Sequence, residues 1–124
     1  MIHHVALEIR REDVGELERF WALLGFARVD PPATLRDRAV WLERRATQVH
    51  LMYADEPVAP VAGHTAVVAE DYEAALERLR GAGFEPEPRP EHWGAPRCFV
   101  RAPAGHRVEV MASPPTSTWA GPGA

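Results

Sequence analysis

Residues 2–9 alternate in character. Val5, Leu7 and Ile9 fall on one face of an extended segment, with Ile2, His4, Ala6 and Glu8 on the other. This predicts a strand with one bulky face and one small, polar face. The apolar spacing then lengthens to three and four, with Val14, Leu17, Phe20, Trp21 and Leu24 on one stripe. That stripe predicts a helix capped by Asp13, stopped by Gly25 and packed on the bulky strand face. Residues 26–29 return to extended chain, Pro31-Pro32 ends it, and residues 33–38 read as a polar loop. Two strands follow, residues 39–44 and 48–53, joined through Arg45-Ala46-Thr47 as a hairpin that puts His50 and Met52 on one face.

The same succession then repeats. His64-Thr65-Ala66-Val67-Val68 resembles His4-Val5-Ala6-Leu7-Glu8, and a helix is predicted from residue 71 to 80 with Tyr72, Ala75, Leu76 and Leu79 inward, ended by Gly81 and Gly83. Pro86, Pro88 and Pro90 confine residues 84–90 to a sheet edge, because proline lacks the amide a central strand must donate. Residues 96–101 and 107–112 form a last hairpin through Pro103-Ala104-Gly105. The copies correspond at a spacing of 60 for His4 and His64, 58 for Gly25 and Gly83, and 59 for His50 and Glu109. A half-domain duplicated once explains this better than a repeat array. The fold class is therefore α+β, two βαβββ modules, with module one at about 1–55, a linker at 56–63, module two at about 64–113 and a disordered tail at 114–124. The inner sheet faces, carrying His4, His50, His64 and Glu109, are expected to enclose a U-shaped cleft.

Composition narrows the function classes. At 124 residues the chain has room for a single domain. Its net charge of -4, with the basic residues scattered, argues against nucleic acid as a partner. One cysteine, Cys98, cannot form an internal disulfide and is read as buried and inert. With no membrane-length apolar run and no signal segment, a cytoplasmic protein is expected. Imidazoles and a carboxylate at symmetric places suit borderline and hard divalent ions such as Zn, Ni, Mn, Fe or Co. His3 is expected to point away from the cleft, and His92 and His106 to be loop residues.

Four segments resemble the vicinal oxygen chelate superfamily of glyoxalases, bleomycin resistance proteins and extradiol dioxygenases. They are Ile2-His3-His4-Val5-Ala6-Leu7, Leu23-Leu24-Gly25-Phe26, His64-Thr65-Ala66-Val67-Val68, and residues 102–111 ending in Val108-Glu109-Val110-Met111. Ala102 and His106 stand where that motif more often has Asp and Asn. The resemblance implies a divalent metal held by His4, His50, His64 and Glu109, with the modules paired within one chain or across a homodimer. It implies a lyase, isomerase or epimerase acting on a small oxygenated molecule, with Glu109 as the base and His50 as its counterpart. Arg97, Trp41, Phe99 and Met52 are the candidate substrate contacts, Arg97 for an anion. His50 departs from the family's enzymes, in which a glutamate or glutamine is common at that place. The alternatives are an extradiol-type dioxygenase using a two-histidine, one-carboxylate face, a thiol transferase, and a non-catalytic antibiotic-binding protein of the bleomycin-resistance type.

Overall fold

The computed structural model describes residues 1–116; most of the tail expected from 114 onwards lies outside the described residues. Module one runs β1 (His4–Ile9), α1 (Val14–Leu23), β2 (Ala27–Val29), β3 (Ala39–Arg44) and β4 (Thr47–Tyr53). Module two runs β5 (His64–Val68), α2 (Tyr72–Gly81), β6 (Glu87–Pro88), β7 (Arg97–Arg101) and β8 (Arg107–Met111). The strands form two four-stranded mixed sheets, ordered β1-β4-β3-β2 and β5-β8-β7-β6, each with its first strand parallel to its last. The duplicated order read from the sequence is thus the order of the molecule, and it is an α+β fold of two modules.

Local differences have local causes. Asp13 does not cap α1: a 3-10 turn over Arg11–Asp13 feeds straight into the helix, so Asp13 has helical backbone instead of the extended backbone a cap requires. Asp71 does cap α2, its carboxylate accepting from the Ala74 amide at 3.0 Å. The β3–β4 turn is tighter than expected, with Arg45 at φ 55° and Thr47 already paired in the strand. β6 shrinks to Glu87–Pro88, since the alternate prolines leave few amides to donate to β7.

Every strand splits by its alternation. Ile9, Val40, Leu42, Val49, Leu51, Val67, Cys98, Val100, Val108 and Val110 face the helices, and together with Leu17, Phe20, Trp21, Leu76 and Leu79 they form one continuous buried cluster drawn from both modules. Phe20 of α1 meets Phe84 of module two edge-on at 5.0 Å, and the Arg78 guanidinium of α2 donates to the Leu23 carbonyl at the end of α1 at 3.0 Å. The helix-bearing sides of the two sheets therefore share one core, and the opposite sides, with the polar residues, lie outside it. Cys98 is fully buried, and burial raises its thiol above the ordinary range, so it is an inert core residue as expected.

His106 is a loop residue, as expected, but it is buried there. It immediately precedes β8, is 4% exposed, and has no hydrogen-bond partner on either ring nitrogen. Val5 and Leu7 of β1, Pro60 and Gly63 of the linker, and Thr65 line a cavity of about 230 Å³ with it. Burial pushes its pKa below the ordinary histidine range, and the Glu8 carboxylate offsets this only in part.

Two outcomes follow. Phe20→Ala removes a fully buried ring from the shared core and should lower unfolding stability by about 3–5 kcal/mol, with both modules still melting in one urea transition; two separate transitions would mean two cores. For His106 the unfolded chain binds a proton near pH 6.5 while the folded chain resists it. Its contribution is therefore intact above that pH and is lost as pH falls through the lowered folded value. His106→Leu should gain about 1 kcal/mol at pH 8 by removing an unpartnered imidazole, and should flatten the acid-side loss in urea melts between pH 8 and 5.5. An acid-side slope unchanged in the variant would assign that loss to other groups.

Candidate metal and substrate site

Strand register builds the same row of side chains on the polar face of each sheet. In module one Ala6 stands opposite His50, and His50 opposite Trp41; in module two Ala66 stands opposite Glu109, and Glu109 opposite Phe99. The neighbouring row reads His4, Gln48, Glu43 in the first sheet and His64, Arg107, Arg101 in the second. His4 thus matches His64, and His50 matches Glu109, in three dimensions as they do along the chain. Period-two alternation and ladder pairing suffice to place them.

On the first sheet the His50 imidazole is sandwiched. Trp41 lies parallel to it at 4.2 Å and 4°, and His4 covers the other side at 4.0 Å and 18°. Nε2–H of His50 donates to Gln48 Oε1 at 2.8 Å, and Gln48 in turn donates to Glu43 Oε1 at 3.0 Å. This fixes the tautomer and leaves Nδ1 with its lone pair. Burial, reinforced by the positive charge His4 and His3 would carry, pushes the His50 pKa below the ordinary range, so its ring is neutral at neutral pH. His3 is exposed and lies edge-on to His4 at 5.3 Å, their Nδ1 atoms 3.1 Å apart, so it flanks the pair instead of pointing away from it.

On the second sheet His64 Nδ1–H donates to the Ala62 carbonyl at 2.9 Å, which directs Nε2 at Glu109 Oε1, 3.1 Å away. With Nδ1 donating to the carbonyl, Nε2 is left facing a carboxylate oxygen, an arrangement that a shared cation would bridge. A carbonyl that fixes one imidazole nitrogen while the other points at a carboxylate is a fit for a bound divalent ion. Glu109 is 6% exposed, and NH1 of Arg97 lies 3.6 Å from its other oxygen.

The structure brings the four predicted ligands together as two pairs. His4 is stacked on His50, and His64 is bonded to Glu109, each pair on its own sheet outside the shared core. Among the described residues no three His, Cys, Asp or Glu side chains gather closely enough to hold an ion. The sequence left open whether the four meet within one chain or across a homodimer; in the structure the two helix layers and their core lie on the common side, and the polar faces do not. The donors are suitable, and one chain supplies half of them to each face.

The expected substrate contacts all lie on these faces. Trp41 is half-buried by its stack on His50, and Met52 is exposed on the first sheet, while Phe99 is half-buried on the second with its ring 5.2 Å from that of His64. Arg97 is 9% exposed; its Nε donates to the Pro90 carbonyl at 2.9 Å, and it lies over Trp93 at 5.4 Å. Its place is behind Glu109, bracing the carboxylate and the loop after β6. Gln48, Arg107 and Arg89 were missed. Alternation offered the first two, since each stands two residues from a predicted ligand on the same strand face, but Arg89 follows a proline-broken edge that carries no such signal.

Against known proteins, the model of the Glyoxalase/Bleomycin resistance protein/Dioxygenase superfamily matches residues 1–110. A putative glyoxalase family protein from Bacillus anthracis superposes with a TM-score of 0.82 at 20% identity, covering 90% of this chain and 93% of that one. Lactoylglutathione lyase from Agrobacterium tumefaciens gives a TM-score of 0.68 at 22% identity over 90% of this chain and 92% of that one. Oxidase ChaP-H2 gives 0.73 at 16% identity over 94% and 96%. At these identities the likeness is one of fold. No curated protein matches the chain. With a family model spanning nearly the whole described chain, and the paired modules it implies present in the structure, the protein belongs to the Glyoxalase/Bleomycin resistance protein/Dioxygenase superfamily.

Proposed function

We propose that the protein is a metal-dependent lyase, isomerase or epimerase of this superfamily, acting in the cytoplasm on a small oxygenated molecule, with its site completed by a second copy of the chain. The observation that carries this is the equivalence of the two half-sites: His4 with His50 and His64 with Glu109 occupy matching rows of duplicated sheets, and neither pair is a complete donor set. A homodimer that sets the first sheet of one copy against the second sheet of the other supplies two donors from each. Charge supports that pairing, because the first face carries Glu8 and Glu43 and the second carries Arg97, Arg101 and Arg107. The exposed apolar side chains Met52 and Val68 lie on these same faces.

His4, His50 through Nδ1, His64 through Nε2, and Glu109 would hold the ion. When bound, a divalent ion supplies Lewis acidity to a carbonyl or vicinal oxygen pair. Three neutral imidazoles and one carboxylate would leave that acidity less neutralised than two carboxylates would. The residues of the chain do the rest. Glu109 takes a proton from the carbon beside the substrate carbonyl and returns it to the adjacent carbon, or, in an epimerisation, leaves the return to a second group on the opposite face. Arg97 holds the second carboxylate oxygen in place. His50, kept neutral by burial, has one lone pair, on Nδ1, which either holds the ion or serves as the counterpart to Glu109, one at a time. Trp41 and Phe99 give the two faces flat apolar floors that displace water.

A second reading has its own support. His50 is enclosed between Trp41 and His4 with Nε2 committed to Gln48, an arrangement that also makes an aromatic platform for a bound molecule without any ion. Metal analysis of protein purified without a histidine tag separates the two readings. The enzyme reading expects about one divalent ion per chain, lost in His64→Ala, whereas no uptake under any loading condition favours the binding protein. Chain mixing tests the sharing. His50→Ala and Glu109→Gln chains, each deficient alone, should regain metal when mixed, because one of the two sites in a mixed dimer then draws only unaltered residues. No recovery in dimers shown to have exchanged would place the site within one chain. Turnover of methylglyoxal hemithioacetals, acyl-CoA epimers or catechols by the loaded protein would then identify the reaction.

A further inference from the structure

Beside Glu109 on the second sheet, Phe99 stands at the centre of four arginines. Arg97 and Arg101 lie two residues to either side of it on β7, Arg107 lies diagonally across on β8, and Arg89 lies diagonally across on the other side, its amide bonded to the Arg97 carbonyl at 3.0 Å. The guanidinium carbons of Arg107, Arg89 and Arg97 stand 4.8, 5.2 and 5.4 Å from the Phe99 ring centre. Two of the four are committed: Arg97 to Pro90 and Glu109, and Arg101 through NH1 to the Gly105 carbonyl at 3.0 Å. Arg89 and Arg107 make no ion pair or side-chain hydrogen bond among the described residues, although Glu85 and Glu87 line the same cavity of about 570 Å³.

The fold does not require this cluster. At the matching positions of the first sheet, Arg107, Arg101 and Arg97 are replaced by Gln48, Glu43 and Ala39, and that sheet forms the same ladder. Nor does it follow from overall charge, since the chain is acidic at -4. Gathering guanidiniums on one ring brings like charges together, and the attraction of each for the phenyl face is modest at a partly exposed site. What the arrangement does offer is two unengaged forks of N–H donors flanking a flat apolar floor. Each fork matches the two oxygens of a carboxylate or phosphate.

We propose that Arg89 and Arg107, over Phe99, bind the anionic group of the substrate, so that the substrate class is a small oxygenated acid bearing a carboxylate or phosphate. The inference rests on the reading above for its neighbour, the reacting group at His64 and Glu109; Arg107 pairs directly with His64 across the ladder and so joins the two places. Arg97 is a positioning residue behind Glu109, and the anion contact expected of it falls to the two free arginines.

The test is calorimetric titration of the whole protein, metal-free and metal-loaded, with malonate and with inorganic phosphate. Wild type is compared with Arg89→Gln, Arg107→Gln and, as a control, Arg36→Gln, an exposed arginine outside this face. Each site variant should weaken binding of the preferred anion about tenfold or more, while Arg36→Gln stays near wild type. Stronger binding of malonate than phosphate assigns a carboxylate, and the reverse assigns a phosphate. Anion binding that is absent in wild type, or that falls equally in all three variants, overturns the proposal. Metal uptake is read separately in each variant and should not change, so a protein that takes up metal but not anion refutes this inference alone, and one that takes up anion but not metal refutes only the enzyme reading.

Discussion

The shared core between the modules constrains everything else. Each sheet has one apolar and one polar side, and burying the apolar sides of both, with α1 and α2, in a single cluster leaves the polar sides nowhere but outside. Phe20 against Phe84 and Arg78 on the Leu23 carbonyl tie the modules across that core. Full burial of each such side chain contributes about 1.5–3 kcal/mol. That gain is spread over some twenty side chains of the cluster, so it outweighs anything a few polar groups could gain by facing one another within one chain. The consequence for the candidate site is that the metal-type donors of one chain are divided two and two between its outer faces.

Much of this was legible in the residues. The duplication was visible because strand alternation and helical spacing recur at nearly constant offset, and ladder pairing then converts equal offset into equal position, as with His50 between Ala6 and Trp41 and Glu109 between Ala66 and Phe99. The packing of one module on the other was not legible. An alternating strand states which side is apolar, but two helix-covered sheets can meet through their helices or through their bare faces with the same alternation. Asp13 failed as a cap for a comparable reason: the residue type suits a cap, but the preceding turn had already given it helical backbone. The burial of His106 was not legible either: it is the loop residue expected after Gly105, and only the three-dimensional approach of β1 and the linker encloses it.

Hydrogen bonds decide which ring nitrogen each of these histidines presents. The Ala62 carbonyl holds Nδ1 of His64 and aims Nε2 at Glu109, whereas Gln48 holds Nε2 of His50 and leaves Nδ1 free. The two halves therefore present opposite imidazole nitrogens, although their backbones are equivalent. Duplication preserved the ladder, and the residue two places before each fourth-strand donor, Gln48 or Arg107, diverged.

That divergence separates what the scaffold needs from what the site needs. Any polar residue tolerant of a half-exposed strand would serve the ladder at positions 48 and 107, so the choice of an amide at one and a guanidinium at the other reflects what each face meets. Gln48 is fully used within its own sheet, bonded to both His50 and Glu43. Arg107 is used by nothing in its sheet except the face of Phe99, and the same holds for Arg89. One face is internally satisfied and the other keeps unengaged donors around a carboxylate. On the function and anion site proposed above, selectivity for the substrate would therefore reside on the second sheet, with the first sheet supplying imidazoles and an aromatic floor.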